Sequence, residues 1–396
     1  MHRAYRTLRA TLGAAAAAVL AACTTTPLPP PDEPPRPAPA PTSPAAVATA
    51  PSVPAPASWP PGTLERPNAR WIPVGWSELP GWDGDRAADA WRAFVRGCER
   101  PAPGWSRMCA EALLSPPPAD DGSARQWFMQ RLQPYRIEAL DRPDPDGLIT
   151  GYFEPLVEAS RLPRGNFRIP LHRAPADLGQ RKPWWTRQQI DTLPAAQAAL
   201  KGREIAYVAD PLDALVLQIQ GSGRMRVTEP DGRVQVLRVA FAGHNDQPYK
   251  SVGRWLIEQG ELTPDTASWP AIREWARRNP RRVNEMLWSN PRTVFFREEP
   301  LPDPSAGPRG AQGVPLTPER SIAVDPRSVP YGTPVWLDTT EPLSNTPLRR
   351  LVLAQDTGTA IVGAVRADYF WGPGEVAEQQ AGRMKQRLRM WALAPK

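Results

Sequence analysis

The spacing of apolar and polar residues predicts helices first and β-strands through most of the remaining chain. Residues 86–114 place Ala, Trp, Phe, Val and Leu at helical spacing, which continues over 127–140. Short apolar runs broken by Gly, Pro and Asp-Gly turns then predict strands at 149–153, 214–219 and 234–241. Asp231-Gly232 lies between two alternating segments and indicates a hairpin.

The second half of the chain repeats this order of helices followed by strands. Helical spacing returns at 252–259, 269–278 and 283–289, with Ser268 as N-cap and Pro270 in the first turn of the second helix. Strand-like runs are then predicted at 293–296, 321–324, 334–337, 351–354 and 391–393. The pattern indicates a mainly β protein with a few helices, and it favours a barrel over a sandwich.

Composition narrows the class of protein. The 396 residues suffice for one large domain or two intertwined ones. The 28 glycines show no three-residue repeat, which excludes collagen, and the 16 tryptophans exclude wholesale disorder. No run of about 18 apolar residues follows the N-terminus, so a polytopic membrane protein is also excluded.

The N-terminus predicts export and lipidation. Three arginines precede the short apolar segment 11–22, which ends in Leu20-Ala21-Ala22-Cys23. This pattern resembles a bacterial lipobox, so we expect residues 1–22 to be a signal peptide and Cys23 to carry the lipid anchor. The alternative is an ordinary secretory signal with an incidental cysteine. Thr24, rather than Asp, follows Cys23 and favours the periplasmic face of the outer membrane.

A tether is predicted after the anchor, over residues 23–63. Between Pro27 and Pro61, 15 of 35 residues are proline. Such a segment favours extended polyproline II and reaches on the order of 100 Å. The formal charge of +7 falls when the three arginines of the signal leave. The remaining mild basicity is too weak to indicate nucleic acid binding.

Cys98 and Cys109 form a close pair in an oxidising compartment, so we expect a disulfide, with two buried free thiols as the alternative. No metal site is expected, because His172 and His244 are the only histidines after the signal. Neither lies at ligand spacing from the cysteines. No cofactor is expected either.

The remaining candidate chemistry is typical of carbohydrate sites: carboxylates, amides and aromatic rings. Asp356 follows the apolar run 351–354, and Asp368 lies beside aromatic residues, where desolvation raises a carboxyl pKa as a proton donor requires. The structural alternatives are a turn cap for Asp356 and a helix cap for Asp368. Gly221-Ser222-Gly223 after a predicted strand permits close approach to a ligand, although a tight hairpin has the same sequence.

Eight motifs then occur in a specific order. They are Gly151-Tyr152-Phe153-Glu154-Pro155, Gln220-Gly221-Ser222-Gly223, Ala242-Gly243-His244-Asn245, Asn290-Pro291 with Phe295-Phe296-Arg297, Val314-Pro315-Leu316, Ser321-Ile322-Ala323-Val324-Asp325-Pro326, Ala354-Gln355-Asp356-Thr357-Gly358, and Arg366-Ala367-Asp368 with Phe370-Trp371-Gly372. In this order they resemble the membrane-bound lytic murein transglycosylase A family from about residue 64 onward.

The resemblance implies cleavage of the β-1,4 bond between N-acetylmuramic acid and N-acetylglucosamine in peptidoglycan, with a 1,6-anhydro product. It also implies a double-psi β-barrel domain assembled from residues 64–155 and 297–396. A second β-domain, 156–296, is inserted between these parts and lines the glycan groove. The expected partners are glycan strands, the membrane through the lipid anchor, and cell-wall synthesis or division proteins. The expected state is a monomer.

The resemblance also assigns residues. It places the catalytic acid on Asp368, and it implies that Asp356 and Asp325 orient or tune the site. The substrate-binding residues that it implies or that we expect are Asp325 together with Tyr152, Gln218, Gln220, Gly221, Ser222, Asn245 and Trp371. Thr359 and Glu378 stand where the family usually has glycine, which puts the fine shape of the groove in doubt.

Two alternative functions stay open. A glycan hydrolase would use Asp368 as acid and Asp356 as base for a water molecule. A non-catalytic wall-binding lipoprotein would use the same groove to hold glycan strands without releasing fragments.

Overall fold

The computed structural model describes residues 60–141 and 144–396, which form two β-sheets with helices around them. The predicted signal peptide, the predicted lipidation site Cys23 and most of the predicted 23–63 tether lie outside the described residues. Within the described ranges, no helix has the length and apolar character needed to cross a bilayer.

The strands of the described residues are β1 (Leu64–Arg66), β2 (Ala69–Pro73), β3 (Leu132–Ala139), β4 (Gly147–Glu154), β5 (Leu156–Ser160), β6 (Ile169–His172), β7 (Glu204–Val208), β8 (Ser222–Thr228), β9 (Val234–His244), β10 (Val294–Glu299), β11 (Ser321–Val324), β12 (Pro334–Thr340), β13 (Pro347–Asp356), β14 (Arg366–Pro373) and β15 (Lys385–Pro395). The α-helices are α1 (Ala87–Gly97), α2 (Ser106–Leu114), α3 (Asp121–Arg131), α4 (Arg187–Thr192), α5 (Pro194–Leu200), α6 (Pro211–Gln220), α7 (Val252–Glu258), α8 (Trp269–Arg278), α9 (Val283–Ser289) and α10 (Glu375–Ala381).

The first sheet is barrel-like. Its strands run in the order β15, β12, β13, β11, β14 and β4, and β4 pairs again with β15. β3, β2 and β1 extend the sheet from β15. Alternate apolar residues of the ring, such as Ile149, Ile322, Val335 and Leu388, are fully buried together and supply the core. The prediction of a mainly β fold with a barrel and few helices is confirmed.

The second sheet is open and follows the order β10, β9, β8, β5, β7 and β6. β8 and β9 are antiparallel, and the connecting turn holds Gly232 at φ 85°, a left-handed conformation that glycine adopts without strain. The predicted hairpin at Asp231-Gly232 is therefore confirmed. Helices α7, α8 and α9 pack near α6, where Trp255 and Trp275 make an edge-to-face contact.

A helical layer covers one side of the barrel. α1, α2 and α3 bury Trp91, Phe94 and Phe128 against Trp336 of β12. Cys98 and Cys109 are joined by a disulfide at the junction of α1 and α2, with Cα atoms 5.2 Å apart. This link closes a short loop within a layer that already packs tightly on the barrel.

Two predicted elements are wrong. The helix expected over 127–140 ends at Arg131, and residues 132–139 instead form β3, which pairs with β2 and β15 and buries Leu132, Pro134 and Ile137. The strand expected at 214–219 is instead the helix α6. Its start and stop residues decide this: the Asp210 side chain accepts from Leu212 N, and Gly221 ends the helix at φ 77°. A short apolar run alone does not distinguish the two structures.

A buried ion network joins the two sheets where β4 leaves the barrel. The carboxylate of Glu154 is fully buried and accepts hydrogen bonds from Arg224 on β8, at 2.8 Å, and from Arg238 on β9, at 2.5 Å. Both arginines also donate to the carbonyl of Ala306. The network fixes the second sheet against the segment that returns to the barrel, and so it fixes the two walls of the site described next.

Candidate active site

Strand register brings Asp356 and Asp368 together. Ala323 on β11 pairs with Asp356 of β13 on one side and with Asp368 of β14 on the other. Residues in register share a face of the sheet, so both carboxyls project on the side of the small Ala323 side chain, with Cα atoms roughly 10 Å apart. An irregularity in the β11–β13 register skips Gln355 and places Asp356 opposite Ala323.

Asp368 lies in an environment that keeps a proton on it. Burial raises the pKa of this carboxyl to about 6, against the lowering effects of a hydrogen bond from Thr150 and the charge of Arg366, and the nearby Asp356 adds to the rise. Thr150 Oγ1 donates to Asp368 Oδ1 at 2.6 Å. Arg366 in turn donates to Thr150 Oγ1 at 2.9 Å, which fixes the threonine hydroxyl as a donor. Near neutral pH, Asp368 is therefore poised to give or take a proton.

Asp356 is held by more donors than Asp368. Burial raises its pKa as well, but the backbone of Thr357, the Tyr152 hydroxyl and the backbone of Ala311 each act to lower it. Tyr152 OH donates to Oδ2 at 2.9 Å, and Ala311 N donates to Oδ1 at 3.0 Å. Burial raises the pKa of Tyr152 well above its usual range, so its hydroxyl stays a donor. The two neighbouring carboxyls thus have different surroundings: Asp368 accepts one side-chain hydrogen bond, whereas Asp356 accepts from a tyrosine hydroxyl and from the backbone.

The two carboxyls open into a groove of about 820 Å³ between the barrel and the second sheet. The predicted residues that line this groove are Tyr152, Gln218, Gln220, Gly221, Ser222, Asp356 and Asp368. Phe241 and Tyr249 also line it, and these rings are 45% and 37% exposed. Exposed aromatic faces beside amides and carboxyls form a surface suited to sugar rings.

Arginine dominates the charge of the groove wall. The lining arginines are Arg100, Arg187, Arg292, Arg297 and Arg309. Arg187 is buried, and burial lowers its pKa to about 10, which still leaves it charged at neutral pH. Its Nη2 donates to Gln218 Oε1 at 2.7 Å, and its Nε donates to the Asn290 carbonyl at 3.1 Å. The wall therefore favours acceptor-rich or anionic ligands.

Three predicted groove residues lie away from the groove. Asn245 is fully buried and fixes a loop, because it donates to the carbonyls of Trp185 and Pro291 and accepts from Thr293 N. Trp371 packs against Tyr369 and donates to Met384 Sδ.

Asp325, the third, accepts from Asn68 and from Gly363 N. Burial opposes ionisation of Asp325, but its hydrogen bonds outweigh burial and lower the pKa. Its contacts hold the loop that follows Asp356.

The expected local structure around two candidates also needs correction. Gly221-Ser222-Gly223 follows the helix α6 and begins β8, whereas a preceding strand was expected. Asp368 lies within β14 and does not cap a helix. Asp356 ends β13 and accepts a bond from Ala311 N, so it orders a turn while also lining the groove.

The two residues that depart from the family pattern have different surroundings. Thr359 lines the groove, where its hydroxyl accepts a hydrogen bond from Arg292 at 2.7 Å and so links the barrel to the second sheet's wall. Glu378 lies on α10, where its backbone carbonyl accepts from Gly382 N. Only Thr359 touches the groove itself.

Several residues that line the groove or contact its two carboxyls were missed by the sequence analysis. Thr150 immediately precedes the Gly151-Tyr152 motif, and Phe241 immediately precedes the Ala242 motif, so their positions were a usable signal. No such signal marks Tyr249 and Ala311, which lie in loops, or Arg187, which begins α4. Only the tertiary structure brings these residues to the groove.

A barrel with paired carboxyls of unequal environment, beside an open groove of amides and aromatic rings, defines a polysaccharide-cleaving enzyme. The sequence matches the MltA specific insert domain over residues 148–297 and the 3D domain over residues 320–394. These two matches cover the second sheet and most of the barrel.

Comparison with known proteins identifies the family. Membrane-bound lytic murein transglycosylase A of Vibrio cholerae is 33% identical over 287 residues, which cover 68% of this chain and 73% of that protein. The structure of lytic transglycosylase LtgG of Burkholderia pseudomallei shares 49% identity, with 82% and 95% of the chains covered and a TM-score of 0.57. MltA of Neisseria gonorrhoeae shares 30% identity, with 84% and 94% covered and a TM-score of 0.71. This chain belongs to the membrane-bound lytic murein transglycosylase A family.

Proposed function

We propose that this protein cleaves the β-1,4 bond between N-acetylmuramic acid and N-acetylglucosamine in peptidoglycan and leaves a 1,6-anhydro end. The observation that carries the proposal is the unequal carboxyl pair. Asp368 has a pKa raised to about 6 by burial, whereas Asp356 is held by Tyr152, Thr357 and Ala311. A carboxyl that still holds its proton up to about pH 6 can donate it to a glycosidic oxygen, which an ordinary aspartate, ionised near 3.8, does poorly.

In the first step, protonated Asp368 donates to the bridging O4 of N-acetylglucosamine. The bond between that oxygen and C1 of N-acetylmuramic acid breaks, and positive charge develops at C1. The Asp368 carboxylate then stabilises this oxocarbenium-like state through its charge, and Asp356 lies beside it in the same groove. The hydroxyl of Thr150 donates to Asp368 Oδ1 and stabilises the carboxylate as it forms.

In the second step, Asp368 acts as a base. Its carboxylate takes the proton of the C6 hydroxyl of the same N-acetylmuramic acid, and O6 bonds to C1 to close the anhydro ring. The proton lost in the first step is thus regained, and no water is consumed. Because nucleophile and electrophile belong to one sugar, the attack has an effective concentration that solvent water does not match.

The supporting aspartates act through position. Asp356 orients Tyr152 and the Ala311 backbone along the groove floor. Asp325 holds the segment after Asp356 by accepting from Gly363 N. We assign sugar contacts to Gln218, Gln220 and Ser222 on the second sheet's side, with Phe241 and Tyr249 as stacking surfaces.

The domain division belongs to the proposal. We assign residues 64–155 and 297–396 to a double-psi β-barrel domain and residues 156–296 to an inserted β-domain. The ring of six paired strands and the separate second sheet support this division. The matched insert domain, 148–297, begins a few residues earlier, within β4.

The cellular setting also belongs to the proposal. Residues 1–22 would be removed as a signal peptide, and lipidated Cys23 would anchor the chain at the periplasmic face of the outer membrane. The proline-rich tether over 23–63 would then let the enzyme reach the wall. Glycan strands are the substrate, and cell-wall synthesis or division proteins are candidate partners.

The test is the turnover of purified peptidoglycan by Asp368→Asn, with Asp231→Asn as matched control on the exposed hairpin turn. A positioned acid contributes about 10²–10⁴-fold, so Asp368→Asn should lose at least that factor while still pelleting with the wall. The control should keep full turnover. Near-normal turnover in Asp368→Asn contradicts the assignment. Wall binding by the wild type without any released fragment would instead support the non-catalytic alternative.

A further inference from the structure

Two glutamines of the groove have their amide oxygens engaged by the protein and their NH₂ groups left for a ligand. Gln218 Oε1 accepts from Arg187 Nη2 at 2.7 Å, and Gln220 Oε1 accepts from the backbone N–H of Phe153 at 3.1 Å. A guanidinium and a backbone N–H have no acceptor, so the atom of each amide that faces them must be oxygen. The opposite orientation would set donor against donor. Both amides are thereby fixed with their nitrogens turned away from these partners.

Those nitrogens are free to bind a ligand. Both side chains are partly exposed and line the groove that contains Asp368. In the described part of the chain, neither Nε2 donates to a protein acceptor. Arg187 is itself held by the carbonyls of Asn290 and Arg292, so it does not turn away from Gln218. The orientation of the first amide is therefore built in before a ligand arrives.

A fixed donor discriminates between groups on a sugar. A hydroxyl both donates and accepts, so it pairs with an amide in either orientation and needs no fixed partner. A carbonyl oxygen only accepts, and an ammonium only donates. An NH₂ group held in place through a buried arginine favours a carbonyl oxygen over an ammonium, because a donor that a bound ligand covers without offering an acceptor is costly.

We propose that Gln218 and Gln220 read the acetamido carbonyl oxygens of the glycan, and that Arg187 is the positioning residue that sets the Gln218 amide as a donor. This inference rests on the proposed function, since it names the feature of the substrate that the same groove recognises. It predicts that the enzyme prefers N-acetylated strands to de-N-acetylated ones. The amide that links the stem peptide to the lactyl group presents the same chemistry and is the competing source.

The key variant is Gln218→Glu. A carboxylate still accepts from Arg187 and gains an ion pair, so the wall stays in place, but it offers no donor to the ligand. It would accept from the ammonium of a de-N-acetylated sugar. Gln188→Glu on α4 is the matched control, because Gln188 is exposed and outside the groove.

Calorimetric binding to an N-acetylglucosamine hexamer and to its de-N-acetylated form measures the preference without requiring turnover. The wild type and Gln188→Glu should prefer the acetylated hexamer by about tenfold or more, and Gln218→Glu should reverse or abolish that preference. Arg187→Met should reduce the preference, because the freed amide can turn over. An unchanged ratio in Gln218→Glu overturns the proposal.

A second arm separates the two carbonyl sources. The binding preference for N-acetylated over de-N-acetylated glycan strands should be the same whether or not an amidase has removed the stem peptides, and it should depend on Gln218 in both cases. If discrimination requires the stem peptide, the acetamido assignment is wrong. Because both arms measure binding, a wild type that binds with preference but releases no anhydro product leaves this inference standing and overturns the proposed reaction.

Discussion

Replacing the proposed acid should make the protein more stable at neutral pH. In the folded chain the carboxyl of Asp368 holds its proton until about pH 6, whereas an ordinary aspartate releases it near 3.8. The unfolded chain therefore gives up this proton first as pH rises, and the wild type loses stability between about pH 4 and pH 6. Asparagine does not titrate, and its side-chain oxygen still accepts from Thr150. Asp368→Asn should escape the loss.

The size of this stability difference follows from the pKa of Asp368. A rise in pKa from 3.8 to about 6 corresponds to about 3 kcal/mol of unfolding free energy, since one pKa unit corresponds to about 1.4 kcal/mol. The side chain lies at the groove and is only partly enclosed, so solvent reduces the effect. We expect a gain in unfolding free energy of about 1–3 kcal/mol above pH 7 and no gain below about pH 4. The aspartate that the proposed reaction needs therefore makes the folded protein less stable than asparagine would at this position.

Urea unfolding of the wild type and Asp368→Asn, measured at several pH values between about 4 and 8, gives the difference directly. The stability gap should open as pH rises above about 4 and should level off above about pH 6. Asp231→Asn should show no such gap. A stability gap that does not change with pH would show that burial does not raise the pKa of Asp368. So would an Asp368→Asn variant that is less stable than the wild type above pH 7.

Other perturbations probe the acid, its neighbour, the joint between the sheets and the disulfide. Turnover should fall as pH rises above about 6, because Asp368 loses its proton there; initial rates across the pH range measure this. Tyr152→Phe removes a donor to Asp356 and should lower turnover about tenfold at constant pH. Glu154→Gln leaves the buried Arg238 and the half-buried Arg224 poorly paired and should cost about 3–5 kcal/mol in urea unfolding. Cys98→Ala opens the disulfide loop and should cost about 3 kcal/mol.

Three of these predictions have a specific outcome that would contradict them. Turnover that rises steadily to pH 8 would exclude a protonated Asp368 as the donor. An unchanged rate in Tyr152→Phe would show that Asp356 needs no hydroxyl partner. Wild-type stability in Glu154→Gln would mean that the two sheets are held by apolar contacts alone.

The sequence predicted the elements of the barrel better than the geometry of the site. β11 and the runs within β12, β13 and β15 alternate or form short apolar runs next to turns, so local pattern was enough. The 214–219 run failed because a buried helix and a buried strand share an all-apolar pattern. In that case Asp210 and Gly221 carried the decisive information.

The site depends on pairings that no local pattern contains. Asp356 reaches the groove because the β11–β13 register skips Gln355, and Asp368 faces it across Ala323. The motifs identified both aspartates, but their relation to Ala323 needed the fold. Trp371 shows the reverse case, because its place beside the acid in the sequence suggested a sugar platform, whereas its ring packs away from the groove.

The most direct test of the central claim is the mass of the fragments released from purified peptidoglycan by residues 64–396. The account predicts fragments that end in 1,6-anhydro-N-acetylmuramic acid, each lighter by one water than a hydrolysis product, and none from Asp368→Asn. Fragments with free reducing ends would contradict it and would assign Asp356 and Asp368 to a hydrolase.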